Sequence, residues 1–189
     1  MFHPARKDSS LRGHMGRTIW HCHIAMSLDG KIARADGSFD WLESYPPQDF
    51  GFDSLMAGID AILMGRDTYE VMRGFGEWPY GEKPTIVMTH RPLVEAPGAV
   101  EARSGDLAVV AAELEARGYA RVWVEGGAQV IRGMIAAGKL DVLEMAIVPI
   151  VLGDGIPLIA PGTPELKLTL KSCEPRSGGA LHVVYEAAR

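Results

Sequence analysis

The sequence predicts an α/β protein, with a mostly parallel sheet covered by helices and an antiparallel strand pair at the end. Three observations carry this. Strand and helix patterns alternate through the first two thirds of the chain, the last third is mainly strand, and one short run, Ala61 to Met64, is apolar throughout. Alternation argues for parallel strands joined by helical crossovers. An unbroken apolar run fits a strand buried on both faces.

Thr18 to Leu28 is the first strand, and residues 27 to 47 read as loop. From Asp49 to Gly58, and on to Ile59, the apolar residues Phe52, Leu55, Met56 and Ile59 recur at helical spacing. Ala61 to Met64 and Thr85 to Thr89 are the two buried strands, and a helix runs from Thr68 to Arg73 between them. Leu107 to Arg117 is a helix stopped by Gly118, and Ala128 to Ala137 one stopped by Gly138. Arg121 to Glu125 is a strand between those helices, and Leu140 to Leu152 a long strand after them. Lys167 to Cys173 and Leu181 to Glu186 alternate like the arms of a hairpin joined across "PRSGG".

The totals narrow the function. A chain of 189 residues with 47% apolar and 23% charged residues suits one globular domain with a full core. Its net charge of −5 offers nothing to nucleic acid or to an anionic membrane. No apolar run is long enough to span a bilayer. Residues 1–17 are polar, lack the apolar centre of a signal peptide, and read as a flexible tail ahead of a single domain over 18–189. Cys22 and Cys173 lie far apart and are expected as buried thiols rather than a disulfide, which fits a cytoplasmic protein.

Ligands of open parallel sheets bind beyond the carboxyl ends of the strands. Four segments stand there: Ser27 to Lys31, Gly65 to Thr68, Thr89 to Arg91, and Glu125 to Gln129. In "MGRDTYE", Gly65 lets a ligand approach the backbone, Arg66 offers a forked cation, and Asp67 or Thr68 can cap a helix whose free N–H groups favour an anion. In "VEGGAQVI", Gly126 and Gly127 can bring backbone N–H groups against a pyrophosphate. In "MTHRP", Thr89, His90 and Arg91 suit the 2′-phosphate of an NADP-type cofactor. Each stretch alone also reads as a capped helix or an ordinary polar turn. Two glycine turns in one parallel sheet together point to a nucleotide. Neither G-x-G-x-x-G nor G-x-x-x-x-G-K-[ST] is present.

"WHCHIAM" sets His21 and His23 on one face of a strand, with Cys22 on the other. No third ligand group stands nearby in sequence, so the two are read as hydrogen-bonded histidines with no metal. Neither a nucleobase-deaminase signature nor G-x-S-x-G occurs. In "AMSLDGKIA", Asp29-Gly30 has the chemistry of a hairpin turn, yet only Lys31 to Ala33 offers a returning strand. The better reading is a site floor: Gly30 leaves room for a flat ring, Asp29 and Lys31 flank it, and Asp36-Gly37 belongs to a loop over it.

"MSLDGKIA", "DAILMGRDTYE", "RVWVEGGAQVI" and "LDVLEMAIVPIVLGDGIPLI" follow one another here in the order of the dihydrofolate-reductase-like superfamily. Roughly residues 18 to 187 resemble it, most of all the C-terminal reductase domain of the bacterial riboflavin-biosynthesis deaminase-reductase and its stand-alone relatives. The resemblance implies a three-layer α/β fold and NADPH as hydride donor. It implies that Gly65, Arg66 and Thr68 form a phosphate turn, and that Thr89, His90 and Arg91 hold the 2′-phosphate. It assigns the pyrophosphate to Gly126, Gly127, Ala128 and Gln129, and the nicotinamide to Ala25, Gly30 and Ile32. On the substrate side it implies Asp29 and Lys31, the latter beside a sugar phosphate, and Asp49 or Asp53 facing the ring. Asp29, Asp49 or an ordered water would route the proton. The implied activity resembles 5-amino-6-(5-phosphoribosylamino)uracil reductase. A dihydrofolate-reductase-type activity and a non-catalytic NADPH-binding sensor are the alternatives. The long run "LEMAIVPIVLG" is expected to support a homodimer.

Overall fold

The computed structural model describes residues 17–188. Ten strands and four helices follow in the order β1 (Ile19–Ser27), β2 (Lys31–Ala33), α1 (Phe52–Gly58), β3 (Ala61–Gly65), α2 (Arg66–Arg73), β4 (Thr85–Met88) and β5 (Val100–Arg103), then α3 (Leu107–Ala116), β6 (Arg121–Gly126), α4 (Ala128–Ala136), β7 (Val142–Val148), β8 (Ile156–Pro157), β9 (Leu168–Pro175) and β10 (Leu181–Ala187). Among the described residues eight strands form one sheet in the order β5-β4-β3-β6-β1-β7-β10-β9. Strands β5 to β7 run parallel across it, and β10 and β9 close it antiparallel. This is the predicted architecture.

Alternation along each strand splits the core in two. Trp20, Cys22, Leu63, Val122, Val124, Leu143 and Met145 pack beneath α3 and α4 with Val110, Leu114, Ile131 and Met134. On the other face Ile62, Met64, Val87 and Trp123 pack with Leu55 and Ile59 of α1 and with Tyr69 and Tyr80. Ile62, Leu63, Met64, Ile86 and Val87 have no exposed surface, as wholly apolar runs require. Burying each such side chain stabilises by about 1.5–3 kcal/mol.

The boundaries differ from expectation where local chemistry was weak. The predicted strand over 140–152 stops at Val148, because Pro149 has no N–H for the ladder. The helix expected from Asp49 starts only at Phe52, after a 3-10 turn at Pro47–Phe50 and a left-handed Gly51 (φ 82°). Strand β5 reads "VEAR"; its polar, edge position left no apolar pattern to find. Strand β2 pairs with β8 and not with β1, so Asp29-Gly30 does not make a β1–β2 hairpin. The two cysteines are free, Cys22 buried as expected but Cys173 exposed. The proposed tail lies outside the described residues, except for Arg17, which pairs with Asp141. No helix among the described residues is long and apolar enough to cross a membrane.

Candidate active site

The carboxyl ends of β1, β3, β4 and β6 bring most of the expected residues to one edge of the sheet. Two of the turns touch. A Cβ on Gly65 would stand 3.7 Å from the Gly127 nitrogen, and a Cβ on Gly127 would stand 3.5 Å from Thr68 Oγ1. Gly126 sits at φ 121°, a conformation in which side chains are strained. Neither α2 nor α4 has a side-chain cap: Gly65 and Gly127 occupy the N-cap positions, and Asp67 and Thr68 fall inside α2 instead of capping it. Helix α3, away from this edge, is capped by Asp106, which accepts from the Ala108 N–H at 2.7 Å. Free helix N–H groups beside open glycine backbone make an anion cradle. Ala128 is buried in the first turn of α4 and Gln129 is exposed beside it.

Arg66 links the first turn to the next. Its Nε donates to Glu70 at 2.7 Å and its Nη1 to the Pro92 carbonyl at 3.1 Å, just past the end of β4. The turn at Thr89–Arg91 is shaped by the Arg91 N–H donating to Thr89 Oγ1 at 3.1 Å. His90 and Arg91 are exposed.

At the end of β1, Gly30 adopts φ 77°, and its N–H donates to the Ser27 carbonyl at 2.9 Å. Nothing lies within 4 Å of where its Cβ would be, so this stretch of backbone is open on that side. Asp29 is a clamp. It accepts from Ser27 Oγ at 2.7 Å and from the backbone N–H groups of Leu152 at 3.0 Å and Gly153 at 2.9 Å. The Ser27 hydroxyl, followed by those amides, holds the carboxyl down at about 2, so Asp29 has no proton to give near neutral pH. Lys31 is half-buried in β2, beside it. Ala25 packs against Phe50, whereas Ile32 packs into the opposite core. Asp36 caps its own turn through Ser38, and Arg34 forks onto Asp40 at 2.7 and 2.9 Å.

The two helix carboxylates are not brought inward. Asp49 is exposed and accepts from Ser177 Oγ at 3.2 Å; Asp53 is exposed in the first turn of α1. The carboxylate that does face the interior is Glu125, 9% exposed, immediately before Gly126. It lies where the β3–β6 register slips, between the Leu63–Val124 and Met64–Gly126 pairs. Such bulges re-aim side chains. Tyr80 donates to Glu125 Oε1, while Oε2 is buried without a partner among the described residues. Burial pushes the carboxyl up to about 8 against the opposing pull of the Tyr80 hydrogen bond. It is therefore mostly protonated at neutral pH. Tyr69, Trp78, Tyr80 and Trp123 wall this side with ring centroids 5.1–5.6 Å apart, and Tyr69 Oη and Trp78 Nε1 are also buried without partners. Sequence reasoning placed Glu125 at a strand end but assigned it no role. The available signal was a lone acid ending an apolar strand in "RVWVEGG".

On the same face, on the adjacent strand β1, His21 and His23 are hydrogen-bonded as expected. His21 Nε2 donates to Glu144 Oε2 at 2.7 Å and His23 Nε2 to the Phe50 carbonyl at 2.7 Å. The sheet adds what the sequence did not suggest, His182, whose Nε2 lies 2.6 Å from Glu144 Oε1.

Comparison with known proteins identifies the family and the fold. The sequence pattern of the RibD C-terminal domain matches residues 20–182. YwjB of Bacillus subtilis, an uncharacterised protein, is 32% identical over 168 residues, covering 88% of this chain and 96% of its own. The riboflavin biosynthesis protein RibD of Corynebacterium ammoniagenes is 26% identical over 171 residues, covering 83% of this chain and 51% of its own. A solved structure from Shewanella sp. PV-4, provisionally assigned to riboflavin biosynthesis, superposes with a TM-score of 0.81 at 30% identity, covering 91% of this chain and all of its own. Dihydrofolate reductase from Enterococcus faecalis, solved with NADP(H), shares the fold with a TM-score of 0.67 at 20% identity, over 90% of this chain and 97% of its own. The chain belongs to the family of RibD C-terminal domains, reductase-type proteins with a dihydrofolate-reductase-like fold.

Proposed function

We propose that this protein is an NADPH-dependent reductase of a small heterocyclic or sugar-phosphate substrate, of the kind that acts on 5-amino-6-(5-phosphoribosylamino)uracil. The observation that carries the reading is the pairing of an uncapped, glycine-lined anion cradle with a protonated buried acid one residue away. Gly65, Gly126, Gly127 and the N-termini of α2 and α4 would take the pyrophosphate. Thr89, His90 and Arg91 would take the 2′-phosphate, and the open backbone at Gly30 the nicotinamide. When bound, the nicotinamide supplies the hydride. Glu125 holds the proton that must reach the substrate heteroatom, and the aromatic wall excludes water around it. Asp29 fixes the turn below the ring, and Lys31 faces the sugar phosphate. The outward positions of Asp49 and Asp53 favour this reading over a folate-type reductase, which would need a carboxylate facing the pterin.

The test is to mix the protein and NADPH with the ribosylaminopyrimidine phosphate and, separately, with dihydrofolate, following absorbance of the reduced nicotinamide. Oxidation with the first substrate is expected. Binding of NADPH without turnover of either would favour a sensor, and no binding at all would end the proposal. Replacing Arg91 with Ala should weaken NADPH about tenfold or more while leaving NADH nearly unaffected, since one charged hydrogen bond contributes about 1.5–3 kcal/mol.

A homodimer belongs to the same proposal. The run that suggested it is mostly interior, since β7 lies between β1 and β10. Its exposed large hydrophobic is Val151, and Ile159, Leu168, Leu170 and Leu181 are exposed elsewhere. Light scattering at the monomer mass would remove this part. The free Cys173 thiol at the surface suits a cytoplasmic setting.

A further inference from the structure

We propose that His23, Glu144 and His182 form a binding site for one divalent first-row transition-metal ion of the zinc class. Three adjacent strands assemble it. His23 of β1 is the register partner of Glu144 in β7, and His182 of β10 pairs with Ala146, two residues further along the same face. His182 Nε2 lies 2.6 Å and His23 Nε2 3.9 Å from Glu144 Oε1, and all three donor atoms lie within 4.8 Å of one another. In a tetrahedral zinc site with bonds of about 2.0–2.1 Å, donors stand roughly 3.3 Å apart. Small side-chain rotations therefore bring these atoms to that spacing. The Phe50 carbonyl oxygen, 2.7 Å from His23 Nε2, is a fourth donor within reach.

The surroundings suit the ion. The three side chains are only 9%, 13% and 11% exposed. Two imidazoles with one carboxylate select zinc-like ions over magnesium or calcium. His21 donates to the other oxygen of Glu144 at 2.7 Å and holds Oε1 toward the two imidazoles, the usual support of a metal-bound carboxylate. Binding needs Nε2 without its proton, so His182 changes tautomer and carries its one proton on Nδ1, which without the ion accepts from Arg176 at 3.1 Å. Arg176 has a second partner to keep, Glu174 at 2.7 Å. Through Phe50 the ion would tie the turn before α1 to the sheet.

The experiment uses the full chain, stripped with a chelator, with exposed Cys173 replaced by Ser to remove the competing thiol. Zinc titration by calorimetry should give one ion per chain with a rise in melting temperature, and cobalt should give a tetrahedral absorption band. Glu144→Gln and His182→Gln, both close in shape, should each weaken zinc by about tenfold or more. Nitrogen NMR of the C173S protein should show His182 Nδ1 gaining a proton with zinc, a readout that needs no variant at the site to fold. No stoichiometric ion, binding indifferent to both substitutions, loss of binding from Cys173→Ser alone, or an unchanged His182 tautomer would each overturn the site.

Discussion

Glu125 and Glu144 stand on the same face of the sheet, on strands separated only by β1, yet their surroundings act oppositely. Glu125 meets an aromatic wall, has one hydrogen-bond partner, and is pushed up to about 8 by burial. Glu144 is also desolvated, but hydrogen bonds from His21 and His182 and the charge of nearby His23 outweigh that and hold it below its ordinary value. Burial lowers His23 itself, against the pull of the hydrogen bond that its Nε2 makes to the Phe50 carbonyl. The difference teaches that neighbours, more than burial, decide whether an interior carboxyl stores a proton or a charge.

The largest expected effect breaks the Glu125 side. Glu125→Gln should lower kcat about 10²–10⁴-fold, with NADPH binding changed little, as read by steady-state kinetics and cofactor titration. A full-rate variant would remove Glu125 as the proton donor. In the unsubstituted protein the proposed turnover should fall as pH rises through about 8, the range in which Glu125 loses its proton.

Stability should separate the two carboxyls by sign. Glu125 has a folded value above the unfolded one, so its contribution is full below the ordinary carboxylate range and is lost as pH rises toward about 8. Glu144 has a lowered folded value, so its contribution is present above the ordinary range and is lost as pH falls through the folded value. Melting temperatures from pH 3 to 9 should show Glu125→Gln gaining relative to the parent at high pH and Glu144→Gln losing least at low pH. Parallel curves would erase the contrast.

Smaller effects sharpen it. Tyr80→Phe should cost about 1–3 kcal/mol in denaturant unfolding, because it leaves a second carboxyl oxygen unpaired. It should also move the alkaline limb of kcat upward, since the Tyr80 hydrogen bond lowers Glu125. Asp106→Ala should cost about 0.5–2 kcal/mol through loss of the α3 cap, with no effect on NADPH affinity.

Most of the fold was legible because its signals are local. "AILM" and "TIVM" allow no exposed face, and Gly118 and Gly138 stop their helices at φ 81° and 63°. The glycine turns were legible for the same reason. Short or charged strands such as "VEAR" carry no periodicity and were missed. Asp29 was legible as a strand-end acid, but its partners were not: the Ser27 hydroxyl is local, whereas the Leu152 and Gly153 amides come from far along the chain.

The sequence by itself determined the alternation of elements and the glycine-lined openness of the strand ends, since periodicity and glycine act within a few residues. The tertiary structure alone decided which acid is buried, which acids face water, and which imidazoles meet. Those outcomes depend on partners 38 residues away, as for His182 and Glu144, or 45 away, as for Tyr80 and Glu125. A pKa or a ligand set belongs to such a neighbourhood, and only strand register and loop packing assemble it.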